Sequence, residues 1–406
     1  MAMDPAEGRL MEVAGFKASA VAAGLRYPDR PDLGVIVSDG PVATAGVFTR
    51  NLVRAAPVVW SRQNLLTGPT PGLARAIMVN SGQANACTGP AGLAAARGSA
   101  QALARLIGCP EHEVLLASTG VIGEVFNLDR FERALPELVA GLRADGLPLV
   151  SRAMMTTDLR PKVASADGRI GRYPFTIVGL AKGAGMICPN MATMLSFILT
   201  DAAVTPGCLQ SILARVSDKT FNRITIDGDT STNDTLLAMA SARAVNPPLD
   251  LKRTEGHEAF EASLTRVLAD LSEMIVADGE GATKLVKIAV AGAVDENQAK
   301  AAAMTVANSP LVKTALFGED VNWGRIMAAL GRSGADFDPE QVDIFLNEIP
   351  LVLAGLSAGH EEAATAVMRQ KNFSVIIHLK AGPAATEVLT CDLSYDYVKI
   401  NADYRS

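Results

Sequence analysis

The chain is poor in the residues that most often carry out chemistry. It has four histidines in 406 residues, His112, His257, His360 and His378. None neighbours a second histidine or a cysteine at ligand spacing, so no zinc or iron site is expected. The five cysteines, Cys87, Cys109, Cys188, Cys208 and Cys391, are odd in number and none pairs at metal-ligand spacing. Free thiols in a reducing compartment follow. Aromatic residues are only 5% of the chain, so the core must rest on Ala, Val, Leu, Ile and Met. Excess positive charge is absent too: the formal net charge is −6, which argues against a nucleic-acid partner. Every long apolar run is cut by Gly, Pro or charge, so no membrane-spanning segment is read. The first residues, "MAMDPAEGRLMEVAGF", are acidic and lack the apolar stretch of a signal peptide. A soluble, cytoplasmic protein is expected.

What is present is a well-filled core, with 49% hydrophobic and 20% charged residues. The length suits two or three domains, or one large α/β body with an appendage. "GVIVSD", "ATAGVFT" and "RAIMVNSG" predict strands, rich in Val, Ile or Thr between turn residues. "AGLAAARGSAQALARLIGC" predicts a helix ended by Gly108 and Pro110. "LDRFERALPELVAGL" predicts another, with Pro136 inside it. "YPFTIVGLAKGAGMI" reads as a strand running into a glycine loop, and "MATMLSFILTDA" as an apolar strand. "GCLQSILARVSDKTFNRI", "FEASLTRVLADLSEMIVADG", "NQAKAAAMTVANSPLVKTALFG" and "HEEAATAVMRQ" read as helices. The last segment, from "NFSVIIHLK", suggests a closing hairpin. Strands and helices alternate without a fixed repeat, giving an α/β or α+β fold with mixed sheets.

Familiar nucleotide motifs fail on spacing. "KGAGMICP" places Cys188 where a dinucleotide fingerprint needs Gly or Ala. "DGEGATK" lacks phosphate-loop spacing, and no G-x-S-x-G elbow occurs. Three polar clusters follow strand-like runs: "VNSGQANACTG", "ASTGVIGE" and "TIDGDTSTNDT". Each is compatible with plain turn chemistry. The last, with Asp227, Asp229, Asn233 and Asp234, lacks the spacing of a calcium loop.

"CPNMATMLSF" places Thr193 after small Ala192, behind the glycine-rich "KGAGMI". A hydroxyl nucleophile needs a base, and an oxyanion needs donors. If the chain broke before Thr193, the new α-amine, with an ordinary pKa of about 7.7–8.0, could take the hydroxyl proton without any histidine. The same hydroxyl can make the break. Attack of Thr193 Oγ on the Ala192 carbonyl gives an ester by N→O acyl shift, and water hydrolyses it. Taken alone, "NMATML" favours a structural threonine.

The ensemble changes that balance. "NSGQANACTG", "STGVIGE", "KGAGMICPNMATMLSFILTDA", "DGDTSTNDT", "DGEGATK", "GEDVNWGRI" and the terminal "CDLSYDYVKINADYRS" occur in this order. Together they resemble the ornithine acetyltransferases of arginine biosynthesis, also called glutamate N-acetyltransferases, from "GFKASAVAAGLR" to the last residue. The resemblance implies a precursor that cleaves itself between Ala192 and Thr193. Residues 1–192 become an α chain and residues 193–406 a β chain led by the nucleophile. It implies transfer of acetyl from N²-acetylornithine to glutamate through acetyl-Thr193, and in some members acetyl-CoA as a further acetyl donor. No cofactor or metal is implied. Thr119 and Gly120 match the oxyanion-hole pair. Thr156, Lys182, Thr193, Glu280, Asn401 and Ser406 match the substrate contacts. The family usually ends in threonine, so Ser406 is a departure that keeps the hydroxyl. The implied fold is a set of stacked mixed sheets flanked by helices, layered like N-terminal-nucleophile hydrolases but differently connected. A smaller lobe is expected from about Lys287 to Val388, and α₂β₂ association of the cleaved chains.

Other readings share parts of this pattern. A related self-processing aminopeptidase or amide hydrolase would release the acyl group to water. An antibiotic-pathway relative would act on other acyl amino acids. A non-enzymatic binding protein would keep the threonine loop intact.

Overall fold

The structure, a computed structural model, describes residues 11–188, 194–252 and 256–403. Its larger sheet contains eight strands. They are β1 (Phe16–Val21), β2 (Leu33–Phe48), β3 (Leu73–Asn80), β4 (Val114–Ser118), β5 (Lys162–Ile170), β6 (Tyr173–Lys182), β7 (Leu195–Thr200) and β9 (Thr235–Ala240), while β8 (Ile224–Thr225) joins a second sheet. The order is β4-β3-β2-β9-β7-β6-β5, with β1 also paired to β2. β3 with β4 and β7 with β9 are parallel, and the other pairs are antiparallel.

β2 bends this sheet over on itself. It runs 16 residues through what the sequence suggests are two strands, "GVIVSD" and "ATAGVFT". Its first half pairs with β1 and β3, its second with β9, and its register against β3 shifts between Val37 and Val42. Strand residues alternate between faces, and the alternation shows how the halves lie. Ile77, Val79 and Leu115 from one half share a buried cluster with Leu180, Phe197 and Leu237 from the other. On the outer face of the first half, Met78 and Leu116 pack against α2 (Gly89–Ile107) and α3 (Leu128–Ala140). On the outer face of the second, Ile177, Ile198 and Leu236 pack against α5 (Pro206–Lys219) and α6 (His257–Ala277). The result is a helix–sheet–sheet–helix sandwich. α1 (Ala56–Thr67) and α4 (Leu147–Ala153) complete this body, adding Val58, Leu65 and Val150 to the inner cluster. With both faces covered, the strands carry nearly continuous apolar runs.

The second sheet has the order β13-β12-β11-β14-β10-β15-β8. Its strands are β10 (Leu285–Ala293), β11 (Asp343–Leu346), β12 (Ile349–Leu353), β13 (Leu356–Ser357), β14 (Asn372–His378) and β15 (Ala384–Cys391). α7 (Glu296–Ala307), α8 (Pro310–Phe317), α9 (Trp323–Gly331) and α10 (Glu361–Met368) cover one face around Val286, Ile288 and Val375. α11 (Tyr395–Asp403) follows β15. The α/β class with mixed sheets flanked by helices is as the sequence suggests.

Two local expectations are corrected. β14 and β15 do not form a closing hairpin: β10 lies between them, parallel to β14 and antiparallel to β15. "NQAKAAAMTVANSPLVKTALFG" is two helices, because Pro310 lacks an N–H to continue the ladder. Ser309 instead caps α8, its Oγ accepting from Val312 N at 3.4 Å.

Candidate active site

Strand ends from the larger sheet converge on one cleft of about 770 Å³, its open mouth included. Thr119, Gly120, Thr156, Lys182, Glu280 and Asn401 all line it. These residues span nearly 300 positions of sequence: Thr119, Gly120 and Lys182 come from strand ends of the bent sheet, Thr156 from the loop before β5, Glu280 from the turn after α6 and Asn401 from α11. Ala192, Thr193 and Ser406 lie outside the described residues. Met194, directly after Thr193, lines the cleft. Its carbonyl accepts from Thr235 N at 2.9 Å, which fixes the start of β7.

Thr119 and Gly120 leave the end of β4 in a loop that interleaves with the "NSGQAN" loop after β3. Thr119 N donates to Asn80 O (3.0 Å), Val121 N to Gly82 O (3.2 Å) and Ala84 N to Val121 O (3.0 Å). Asn80 Oδ1 accepts from Ser118 Oγ at 2.6 Å, and Asn233 Nδ2 donates to both Ala84 O (2.7 Å) and Ser118 O (2.8 Å). The three polar clusters are thus one hydrogen-bonded frame around Thr119 and Gly120. Gly120 is required by this approach. Its φ is +128°, and a Cβ there would lie 2.3 Å from the Gly82 carbonyl carbon.

Lys182 ends β6, directly opposite Leu195 of β7. Its Nζ donates to Thr156 Oγ1 at 2.8 Å and to Thr119 Oγ1 at 3.2 Å. Burial lowers its pKa from the ordinary lysine value, opposed by the nearby Asp158 carboxylate. Glu280 stands across the cleft against Gly185, its Oε2 accepting from Asn401 Nδ2 at 2.8 Å. Gly185 leaves no room for a Cβ here, which would meet the carboxylate at 2.4 Å.

Behind these groups lies a buried charge cluster that sequence reasoning missed. Lys162 Nζ donates to Asp158 Oδ1 and to Asp278 Oδ2, each at 2.6 Å, and its side chain is 0% exposed. Asp158 also accepts from Thr156 N (3.0 Å) and Gly183 N (2.7 Å), while Asp278 accepts from Leu159 N (3.1 Å). Burial pushes the Asp158 carboxyl up, but Lys182, then Lys162 and the hydrogen bonds outweigh it and hold it at about 2. The sequence signal was thin: one aspartate beyond "MMTT", one lysine in "RPK" and one aspartate in "DGEG".

Asp227 holds the backbone of the glycine-rich segment after β6. It accepts from Met186 N (2.5 Å) and Ile187 N (2.8 Å), pinning Met186 at φ +55°. Thr230 Oγ1 donates to Cys188 O at 2.9 Å. Burial raises the Asp227 pKa despite these bonds, and burial followed by the Asp227 charge raises that of Tyr397, whose hydroxyl lies 3.5 Å away. The "GEDVNWGRI" motif does not line the cleft. Asn322 within it caps α9, accepting from Arg325 N at 3.3 Å. Among the described residues, no group of three His, Cys, Asp or Glu side chains is arranged to hold a metal, and no helix is long and apolar enough to cross a membrane.

Comparison with known proteins covers nearly the whole chain. The model of the ArgJ family matches residues 17–406. The Arginine biosynthesis bifunctional protein ArgJ of Geobacter sulfurreducens is 50% identical over 398 residues, 98% of this chain and 100% of that protein. Its namesake from Desulfotalea psychrophila is 51% identical over 398 residues, with the same coverage. The crystal structure of the Arginine biosynthesis bifunctional protein argJ from Bacillus halodurans matches with a TM-score of 0.50 and 41% identity, covering 51% of this chain and 98% of that one.

Proposed function

This chain belongs to the ArgJ family, and from that premise we propose that it cleaves itself before Thr193 and then transfers acetyl from N²-acetylornithine to glutamate. The observation that carries this reading is the convergence of Thr119, Gly120, Thr156, Lys182, Glu280 and Asn401 on the cleft walled by Met194. The bifunctional name of the relatives supports a second activity, acetylation of glutamate from acetyl-CoA as co-substrate.

In the precursor, Thr193 Oγ attacks the Ala192 carbonyl carbon. The C–N bond breaks as the ester forms, and water then splits the ester. This leaves a carboxylate on Ala192 and a free amine on Thr193. That amine accepts the hydroxyl proton when Thr193 Oγ attacks the acetyl carbonyl of N²-acetylornithine. Negative charge develops on the carbonyl oxygen, where the Thr119 hydroxyl and the Gly120 N–H donate to it. Collapse expels ornithine, its α-nitrogen taking the proton. The α-amine of glutamate attacks the acetyl ester and leaves as N-acetylglutamate. Lys182 faces the substrate carboxylate and Glu280 the side-chain ammonium of ornithine. Thr156, Asn401 and Ser406 orient the amino-acid backbone.

The Bacillus halodurans chain is matched over 98% of its length by 51% of this one, so it is about half as long. That length supports two chains from one precursor, here residues 1–192 and 193–406. We read the product as an α₂β₂ assembly in the cytoplasm, working without a bound cofactor or metal. Incubation with N²-acetylornithine and glutamate tests the reaction. Ornithine and N-acetylglutamate should appear in equal amounts. Acetate in place of N-acetylglutamate would make the protein a hydrolase.

A further inference from the structure

Neither Asp158 nor Lys162 has a part in the reaction as written, and neither lines the cleft. Yet Asp158 touches the backbone on both sides of it. Its Oδ2 accepts from Thr156 N at 3.0 Å, and its Oδ1 accepts from Gly183 N at 2.7 Å, directly after Lys182. Lys162 holds Oδ1 from behind at 2.6 Å, with no solvent on either side chain. Asp158 Oδ2 is 3.9 Å from Lys182 Nζ, too far for a hydrogen bond but close for charge.

The donor inventory gives this a direction. A lysine ammonium can only donate. Thr119 Oγ1 and Thr156 Oγ1 must therefore both accept from Lys182. Each hydroxyl then points its own proton away from Lys182. A deprotonated Lys182 would be free to accept, and the hydroxyls would turn toward it. The charged groups facing Lys182 are Asp158 from the connection before β5, Lys162 on β5, Glu280 after α6 and Asp234 before β9. Without Asp158, the buried ammonium would face Lys162 with its nearest opposing charge gone.

We propose that Asp158 is a positioning residue for acetyl transfer: held by Lys162, its carboxylate keeps Lys182 an ammonium between Thr119 and Thr156, so that both hydroxyl protons are turned into the cleft. This rests on the reading of Thr119 as an oxyanion donor.

The test uses the full chain carrying Asp158→Asn, which leaves Lys162 paired with Asp278, and Asp158→Asn with Lys162→Met, which removes the second charge facing Lys182 as well. Steady-state transfer from N²-acetylornithine to glutamate is measured across pH, beside thermal denaturation. Asp158→Asn should lower kcat by about 10- to 100-fold, at or below the loss of one whole oxyanion donor, with a smaller change in KM. Activity should be lost on the alkaline side at least about one pH unit earlier than in the wild type, because loss of the Asp158 charge favours neutral Lys182. The double variant should be less stable than the single one, because Asp278 then loses Lys162, and its alkaline limb should move part of the way back, because the Lys162 charge also disfavours the Lys182 ammonium. A folded Asp158→Asn protein with a wild-type pH profile would overturn the proposal, leaving Asp158 a structural residue. Should either variant remain uncleaved, the pH dependence of the cleavage on a denaturing gel is read instead. Cleavage recovered at lower pH supports the proposal, and a folded variant inert at every pH overturns it. A wild-type chain that forms no N-acetylglutamate counts against the proposed function. An active wild type beside unshifted variants counts against Asp158 alone.

Discussion

Lys162 and Asp158 meet at 2.6 Å with neither side chain exposed, and a second carboxylate, Asp278, binds the same ammonium from the far end of α6. One buried cation thus ties β5, the loop bearing Thr156 and the turn bearing Glu280. Removing one partner of such a cluster leaves uncompensated charge, at a typical cost of about 3–5 kcal/mol. Lys162→Met should destabilise the protein by about this amount, since two carboxylates are then buried together. Chemical denaturation, compared with the wild type, measures it. A loss below about 1 kcal/mol would mean that the pair is solvated in the native protein.

The same cluster sets an acid limit. The Asp158 carboxyl is held at about 2, below its ordinary value of 3.8. A depressed carboxyl adds stability above its unfolded pKa and loses that contribution as pH falls toward the folded value. Thermal stability of the wild type should therefore fall between about pH 4 and pH 2. In Asp158→Asn the contribution of this group to that slope disappears. Melting temperature against pH for the two proteins checks the sign.

Gly120→Ala places a methyl against the Gly82 carbonyl at a backbone angle that suits glycine. The loop must shift, and the amide moves with it. Loss of one oxyanion donor lowers kcat by about 10²–10³-fold. The substitution should approach that loss with KM for N²-acetylornithine nearly unchanged. A KM effect without a kcat effect would remove Gly120 from the oxyanion site.

Glu280→Gln keeps a partner for Asn401, which lies 2.8 Å away, and removes the charge assigned to the ornithine side chain. KM for N²-acetylornithine should rise about tenfold, roughly the value of one charged contact. KM for glutamate, which has no side-chain ammonium, should not rise. Initial-rate kinetics with each substrate varied separately distinguishes the two.

The sequence made the polar clusters visible and left their meaning open. "NSGQANACTG", "STGVIGE" and "DGDTSTNDT" each follow a strand, and each alone fits a turn. Their joint role depends on Asn233 reaching Ala84 and Ser118 across more than a hundred residues, which local pattern does not encode. The long β2 was hidden for another reason. Gly40 and Pro41 read as a break, but Ser38 Oγ bonds Gly40 O and Arg75 O through the bend, and the strand continues. The terminal helix α11 has no buried residue, so it shows no apolar stripe to read. Asp158, Lys162 and Asp278 were passed over because single charges in a sequence are solvated in most proteins. Only the fold shows that these three are not.

The central claim is that the Ala192-Thr193 bond is the first substrate and Thr193 the acetyl carrier. Intact-mass spectrometry of the purified chain, with and without N²-acetylornithine, tests both at once. The wild type should give two polypeptides, the second beginning at Thr193 and gaining one acetyl group with the donor present. Thr193→Ala should give a single uncleaved chain with no adduct. A Thr193→Ala protein that still cleaves and still takes up acetyl would contradict the account.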